Sequence, residues 1–343
     1  MSARSLLKGM APVAARYTGA SSVIARRYRG RGTIFMLHSV VDDAAFYPDR
    51  TLRCPVSSLE RILRWLRANK IDIISLDDAI DRIDAPSTAR FAVLTFDDGY
   101  ADALTHALPL MERFRAPFVV YVTTGMMTGN IDAWWLGLAE LIRRQDMVEL
   151  SDLGLQFDCR DEARKVNTFV DIERMIHTDY SVLQHVKAAV ASQGIDCGGL
   201  AKREAMTVED LRQFAAHPLA TVGAHGCTHA NLAMASASAA RWEMEESRRL
   251  LEDAVQKPIL HFAYPFGNAR ACGPREAELA RASGYRSAVT TRSGSIFPQH
   301  RDHLHALPRE ALSRLDTSST LRCKVDGFYR AGHSRLGDPV AAM

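Results

Sequence analysis

The chain has 343 residues, and 43 Lys and Arg against 40 Asp and Glu give it a formal net charge of +3. So small an excess gives no reason to expect a nucleic-acid partner, and a 47% hydrophobic content argues against a disordered chain. No run of about 18 apolar residues occurs, so the sequence predicts no transmembrane helix. Its six cysteines lack CxxC spacing, which favours reduced thiols and a cytoplasmic location.

Residues 1–32 form a basic N-terminal segment. Seven Arg and Lys occur in it, whereas no Asp or Glu precedes Asp42. Apolar residues at helical spacing predict a helix, and the apolar core is too short for a signal peptide. Three interpretations stay open: a helix packed on the domain, a targeting segment, or a basic helix lying on an anionic membrane. The last would make the protein peripheral at the inner membrane face.

Apolar runs next predict a series of strands, near residues 33–38, 72–76, 91–96, 117–123, 220–224, 259–264, 285–290 and 304–307. Helical patterns lie between most of them, including one that starts at Thr207 with Asp210 completing a capping box. This alternation predicts an α/β fold with a parallel sheet. Seven or eight such units predict an irregular (β/α)7-8 barrel over residues 33–310.

Residues 126–206 do not fit this alternation of strands and helices. They contain Trp134, Trp135 and a helical stretch, and we interpret them as a long helical insertion at the C-terminal rim of the barrel. Residues 311–343 form a C-terminal tail, which we expect to be mobile beyond Phe328 because Gly, Pro and small residues dominate it.

Two adjacent acids end the apolar strand 91–96. Asp97 and Asp98 precede Gly99, and Asp-Asp-Gly is also good turn chemistry. Neighbouring carboxylates repel each other, and a metal ion removes the conflict if one carboxylate binds it while the other stays free as a base. A turn and a metal site are both consistent with this motif alone.

Two histidines follow the short strand 220–224. His225 and His229 lie four residues apart, a spacing that lets both imidazoles reach one metal ion. Cys227 lies between them and is a weaker candidate for a third ligand than a carboxylate, because a small free Cys is usually just buried.

The polar residues coincide with predicted strand ends. His38, Asp97, Asp98, His225 and Pro265 each follow a predicted strand. Active sites of βα barrels lie at the C-terminal strand ends, so the fold prediction brings these residues to one face.

The motifs resemble the polysaccharide deacetylase family, also called the NodB-homology domain, of carbohydrate esterases. The resemblance rests on residues 95–99 (TFDDG), the His225/His229 pair and the turn 264–267 (YPFG), and it runs from about Thr33 to about Arg309. The early strand ending in Leu37-His38 is similar to one branch, which includes enzymes acting on exported poly-N-acetylglucosamine.

The resemblance implies metal-dependent hydrolysis of N-acetyl groups on a saccharide, with an acetylated glycan as the partner. Asp98, His225 and His229 would hold a divalent metal. Zn²⁺ suits this set best, and Co²⁺, Ni²⁺, Fe²⁺ and Mn²⁺ tolerate it.

The resemblance also implies catalytic roles. Asp97 is the expected general base and the backbone N–H of Phe266 an oxyanion donor. His38 is the first candidate for the general acid and His305 the second. Tyr264 and Pro265 belong to the substrate-binding turn.

Two roles are open for the aromatic residues of the insertion. Trp134 and Trp135 either stack on sugar rings or pack the insertion onto the barrel.

The chain departs from the usual family turn, Arg-x-Pro-Tyr. Ala263 stands at the Arg position and Phe266 at the Tyr position, which leaves Asp97 without its usual partner; Arg309 is a candidate replacement. Two alternatives to the deacetylase therefore stay open. One is a catalytically impaired carbohydrate-binding barrel, and the other is an O-acetyl esterase or a different metal-dependent amidohydrolase.

Overall fold

The computed structural model of the protein describes residues 20–85 and 89–342. The strands, in chain order, are β1 (Gly32–Leu37), β2 (Ser39–Val41), β3 (Arg53–Pro55), β4 (Asp72–Ile73), β5 (Phe91–Phe96), β6 (Phe118–Val122), β7 (Met147–Leu150), β8 (Leu155–Asp158), β9 (Ala220–Ala224), β10 (His261–Ala263), β11 (Ser287–Val289) and β12 (Glu310–Ala311). The helices are α1 (Ala20–Tyr28), α2 (Val56–Ala68), α3 (Leu76–Asp81), α4 (Leu108–Phe114), α5 (Thr124–Thr128), α6 (Trp134–Arg144), α7 (Glu162–Thr178), α8 (Val182–Ser192), α9 (Cys197–Glu204), α10 (Val208–Ala216), α11 (Ala237–Val255), α12 (Pro274–Ala282), α13 (Ser318–Val325) and α14 (Phe328–His333).

A curled parallel sheet forms the centre of the molecule. Its strand order is β11-β10-β9-β6-β5-β1-β12, with β4 added beside β5. Every residue of β5 and β6 is buried, which explains why these strands are continuous apolar runs rather than alternating ones. With helices between the strands, the arrangement confirms the predicted irregular α/β barrel.

Residues 307–311 connect the two ends of this sheet. Leu307 forms a parallel bridge with Val289 at the end of β11, and β12 pairs with β1 at Phe35 and Met36. The sheet therefore curls around one interior. Because the strands are parallel, the carboxyl ends of β1, β5, β9 and β10 meet on one face.

The prediction of a last strand at residues 304–307 is wrong. Pro298–Ala306 forms 3₁₀ turns instead, and extended pairing starts only at Leu307. Local turns satisfy the backbone up to Ala306, and Pro308 has no N–H to donate to a ladder.

The predicted strand 72–76 is shorter than expected. The hydroxyl of Ser75 accepts a hydrogen bond from the Asp78 N–H at 3.0 Å and so starts helix α3 at Leu76. Paired strand residues are confined to Asp72 and Ile73.

The C-terminal residues are more ordered than the sequence predicts. Beyond Phe328 the chain forms helix α14, and Ala341 is buried. The carbonyl of Ala341 contacts His300 and that of Ala342 accepts a hydrogen bond from Arg292. These contacts correct the prediction of a mobile tail.

The insertion has its own apolar core. Helices α6–α9 and the β7–β8 hairpin enclose buried residues such as Phe169, Ile172 and Val186, which form a cluster separate from that of the barrel. The insertion thus folds as a helical subdomain on the rim that carries the strand ends.

The N-terminal segment is only partly described. Its first 19 residues, which carry the predicted apolar spacing, lie outside the described residues. Helix α1 packs on the C-terminal region: the Tyr28 hydroxyl donates to the Gly337 carbonyl at 2.7 Å, and Arg29 pairs with Asp326. In the described part of the chain, no helix combines the length and the apolar character needed to span a bilayer.

Candidate active site

Asp97 and Asp98 reach the site because the chain turns sharply after β5. The Asp97 N–H donates to the Leu37 carbonyl at 2.9 Å, which continues the β1–β5 pairing by one residue. Asp98 and Gly99 then adopt φ values of 74° and 86°. A Cβ on Gly99 would lie 3.0 Å from the Val122 side chain, so the turn requires glycine for space as well as for φ.

Asp98, His225 and His229 form one cluster. Asp98 Oδ1 lies 3.6 Å from the Nε2 atom of each imidazole, and the three potential ligand atoms lie within 4.8 Å of one another. Metal–ligand bonds of about 2.0–2.1 Å place tetrahedral ligands about 3.3 Å apart, close to the observed spacing. The three side chains can therefore share one metal ion.

Different forces orient the two histidines. His225 Nδ1 lies 2.7 Å from the Ala263 carbonyl, which fixes the tautomer and leaves the Nε2 lone pair for a metal. His229 is held by packing instead, since its ring lies 4.8 Å from that of Trp135 and 5.1 Å from that of Phe266.

The electrostatics of Asp98 fit a cation. Its Oδ1 is buried and has no hydrogen-bond partner in the described structure. Burial and the charge of Asp97 raise the pKa of Asp98 to about 8. A carboxyl group in this position is costly to ionise, and a bound cation is what would stabilise its charged form.

Asp97 has a different partner, Arg309. The guanidinium donates from Nη1 and Nη2 to the two carboxylate oxygens, each at 2.7 Å, and both side chains are buried. Burial alone would raise the pKa of Asp97, but Arg309 and the neighbouring His225 outweigh it and hold the pKa at about 2. Asp97 is therefore ionised at neutral pH. This contact fills the place left by Ala263 and removes the sequence-based reason for a catalytically impaired barrel.

Three residues of the site have strained backbone conformations. Of the eight non-glycine residues with positive φ in the described structure, Asp98, His229 and Phe266 are three. Such conformations cost free energy and persist at functional sites that need them. The Phe266 N–H makes no hydrogen bond within the described residues, so it remains available as a donor.

A cavity of about 290 Å³ lies over the cluster. It is lined by Asp97, Asp98, His225, His229 and also by His38. Burial lowers the pKa of His38 to about 4, although the Asp97 charge raises it, so the imidazole is neutral at neutral pH.

His305 does not line the cavity. Its Nε2 lies 2.8 Å from the Tyr285 carbonyl instead. Of the two general-acid candidates, only His38 faces the cluster.

The predicted substrate-binding residues divide into two groups. Trp134 and Trp135 are buried but contribute to the cavity wall, and the Trp135 Nε1–H donates to the Tyr100 hydroxyl at 2.8 Å. Tyr264 also lines the cavity, but it is buried and its hydroxyl donates to the His305 carbonyl at 2.9 Å. Pro265 is not part of the cavity wall.

Glu243, on helix α11, supports the site and was not identified by the sequence analysis. It is buried, and its Oε2 accepts hydrogen bonds from the N–H groups of Cys227 at 2.6 Å and Thr228 at 3.0 Å. Cys227 Sγ contacts the Glu243 carbonyl and lies outside the metal cluster. Glu243 shares its helix face with Ala240 and Ser247, a spacing that would have placed it inward.

Other unpredicted residues come from outside the motifs. Arg53 is buried between Asp49 at 2.8 Å and Glu204 at 2.7 Å, and so ties the insertion to the barrel. Glu173 and His177 of helix α7 line the cavity. The sequence offers one signal for Glu173 and His177, their four-residue spacing, which places them on one face of a helix. This spacing does not indicate which surface that face contacts.

Comparison with known proteins gives one family. The profile of the polysaccharide deacetylase family matches residues 84–159 and 173–288, together more than half of the chain. Over 84 residues, 24% of this chain, the sequence is 33% identical to the poly-beta-1,6-N-acetyl-D-glucosamine N-deacetylase of Escherichia coli K12. That alignment covers only 12% of the E. coli protein.

Solved structures with the same fold include three at 14% sequence identity. The deacetylase PplD of Streptococcus pyogenes in complex with acetate matches with a TM-score of 0.55, over 85% of this chain and 97% of that one. The de-N-acetylase of Aggregatibacter actinomycetemcomitans gives a TM-score of 0.54, over 85% and 99%. IcaB of Ammonifex degensii gives 0.53, over 87% and 97%. At such identity the likeness establishes the fold alone.

Proposed function

This chain belongs to the polysaccharide deacetylase family, and on that premise we propose that it hydrolyses the N-acetyl groups of N-acetylhexosamine residues in a glycan, releasing acetate. One observation carries the proposal: an ionised carboxylate, Asp97, which Arg309 orients, lies beside the Asp98–His225–His229 cluster at the wall of one cavity. The similarity to the E. coli enzyme suggests N-acetylglucosamine as the sugar, although the match covers a small part of that protein.

The cofactor of the proposed reaction is a divalent metal, Zn²⁺ in the first place. Asp98, His225 and His229 would hold it, and the unpartnered Asp98 Oδ1 and the free Nε2 of His225 support that donor set. When bound, such an ion supplies Lewis acidity and lowers the pKa of water.

Asp97 is the proposed proton acceptor. Its two hydrogen bonds from Arg309 fix the carboxylate plane and keep it ionised, so it can accept a proton from the attacking water. His38 is the proposed donor to the leaving amine. Because Arg309 holds the pKa of Asp97 below that of a free carboxyl group, Asp97 can pass the proton on, and His38 lines the same cavity.

The turn at Phe266 is the proposed oxyanion site. Its positive φ and its unused N–H support a backbone donor beside the cluster. The ring of Phe266 packs on His229 and so excludes water from that side of the site.

The proposed reaction is tested by acetate release. Wild type should release acetate from β-1,6-linked N-acetylglucosamine oligomers, and Asp97→Asn should lose most of this activity. Release from O-acetylated glycans but not from N-acetylated ones would assign the esterase activity instead. Binding of the oligomer without acetate release would support the carbohydrate-binding alternative.

We also propose that the protein lies at the cytoplasmic membrane face through its basic N-terminal segment. The support is the cluster of positive charge in residues 1–32. Vesicles with anionic lipid should pellet the full-length protein, and Arg4→Glu with Lys8→Glu and Arg16→Glu should abolish pelleting. These three positions spare helix α1, whose Tyr28 packs on the C-terminal region. Equal pelleting of both proteins would reject membrane contact.

A further inference from the structure

The insertion contributes a polar wall to the cavity. Glu173 and His177 lie four residues apart on helix α7, so both side chains project from one face of that helix. Both line the cavity that contains Asp97, Asp98 and the two site histidines. A substrate held at the cluster would therefore meet a surface that comes from outside the catalytic motifs.

This wall is continuous with the metal cluster. The Phe266 ring lies 5.1 Å from the ring of His229 and 6.1 Å from that of His177. One aromatic ring thus separates a predicted metal ligand from helix α7. That is the scale of a sugar ring bound next to the reacting acetamido group.

The Glu173 carboxyl has unused hydrogen-bonding capacity. The Thr51 hydroxyl donates to Oε2 over 3.5 Å, and in the described structure neither Oε1 nor Oε2 has an ion-pair partner. Burial, with the nearby charge of Asp49, raises the pKa of Glu173 to about 7. A partly desolvated carboxyl group without a cation costs stability, and such groups are concentrated at binding and catalytic sites.

Sugar hydroxyl groups match this environment. A carboxyl oxygen accepts hydrogen bonds from hydroxyls, and the aromatic walls formed by Trp134, Trp135 and Phe266 suit the apolar faces of a sugar ring. We propose that Glu173 is a specificity-determining residue that accepts hydrogen bonds from free hydroxyl groups of the sugar bound at the cluster.

The proposal rests on the proposed deacetylase function and narrows its substrate class. The substrate is an N-acetylhexosamine glycan whose hydroxyls toward helix α7 are unsubstituted. A substituent on a hydroxyl that faces Glu173, such as the lactyl ether of N-acetylmuramic acid, would remove the hydrogen bond and place a second carboxylate beside Glu173. The protein therefore prefers neutral N-acetylglucosamine polymers over muramic-acid-containing strands.

The test compares Glu173→Ala and Glu173→Gln with wild type on a β-1,6-linked N-acetylglucosamine pentamer. We expect KM to rise by about tenfold or more in Glu173→Ala, and less in Glu173→Gln, because the amide oxygen still accepts a hydrogen bond. The kcat and the metal content should stay within about twofold of wild type, since loss of binding shared by ground and transition states changes KM alone. The control is Asp171→Ala, an acid on the same helix whose half-exposed side chain pairs with Arg174.

Affinity separates this proposal from the proposed reaction. Calorimetry with the same pentamer in an Asp97→Asn background measures binding without turnover. Weaker binding after Glu173→Ala supports the role of Glu173 even if wild type releases no acetate, which would reject only the reaction. Unchanged affinity in Glu173→Ala would overturn the role, and so would equal turnover of muramic-acid-containing strands by wild type.

Discussion

The guanidinium of Arg309 holds both carboxylate oxygens of Asp97, although 212 residues separate the two in the chain. The pair exists because residues 307–311 bridge the ends of the sheet, which brings Arg309 beside the end of β5. Arg309 also donates to the Thr290 carbonyl at 2.9 Å and to the Thr95 hydroxyl at 3.0 Å, so its position is fixed on three sides.

Replacement of Arg309 should affect both stability and activity. Arg309→Met leaves Asp97 buried without its cation, and we expect the free energy of unfolding to fall by about 3–5 kcal/mol. Acetate release should fall as well, because the carboxylate loses its fixed orientation. Urea denaturation and kcat/KM measure the two effects. Arg309→Lys keeps the charge but not the paired guanidinium donors, and it should lose less stability and less activity. An Arg309→Met variant as stable as wild type would contradict this role of Arg309.

The same pair predicts a pH dependence of stability. Asp97 has a pKa of about 2 in the folded protein, below the value of about 3.9 for an unfolded Asp, so its contribution is complete above pH about 4 and lost as pH falls toward 2. In Arg309→Met, burial without the guanidinium raises the pKa of Asp97 instead. The buried carboxylate then destabilises the folded protein at neutral pH, and less so in acid, where it is protonated. The difference in unfolding free energy between wild type and variant, measured in chelator, should therefore shrink as the pH falls from neutral toward about 2. A difference that grows in acid would contradict it.

Loss of His38 should stop turnover but not metal binding. His38 lines the cavity beside Asp97, whereas the His305 ring contacts the Tyr285 carbonyl instead. We expect kcat to fall by about 100- to 10,000-fold in His38→Ala, the usual range for a general acid, and only a few-fold in His305→Ala. Metal content by mass spectrometry serves as the control. Full turnover in His38→Ala would reject the assignment.

Metal stoichiometry tests the cluster without knowledge of the substrate. After zinc reconstitution and desalting, wild type should retain about one ion per chain, and His229→Ala should retain little, because two donors hold Zn²⁺ far more weakly than three. Cys227→Ser is the matched control, since Cys227 lies between the two histidines but contacts Glu243. A wild type that binds no metal would remove the basis of the proposed chemistry.

The sequence predicts the features that depend on periodic patterns or on short motifs. The buried strands β5 and β6, the capping box at Thr207 and Asp210, and the barrel class all follow from periodicity and short motifs. The sequence indicates Arg309 as a candidate partner of Asp97, but the contact itself depends on closure of the sheet, which no local pattern encodes. The burial of Trp134 and Trp135 depends on how the insertion packs, and the order of the last residues depends on His300 and Arg292 far upstream.

Replacement of Glu243 tests what fixes the conformation of the loop 225–229, which carries the two site histidines. Its carboxylate accepts hydrogen bonds from the Cys227 and Thr228 N–H groups, and a Cβ on Gly226 would lie 2.9 Å from Glu243 Oε2. Glu243→Ala leaves two N–H groups unpaired next to His225 and His229, so the spacing of the two imidazoles is no longer fixed.

We expect zinc affinity to fall by about 10- to 100-fold in Glu243→Ala, the usual effect of losing a partner that orients the ligands. Competition with a chelating dye measures it, and thermal unfolding of the metal-free protein reports the accompanying loss of stability. Glu243→Gln, which still accepts through its amide oxygen, should lose less. Glu245→Ala is the control on the same helix, because Glu245 is exposed and contacts Arg241. If Glu243→Ala bound zinc as tightly as wild type, packing of His229 against Trp135 and Phe266 would be sufficient to hold the loop.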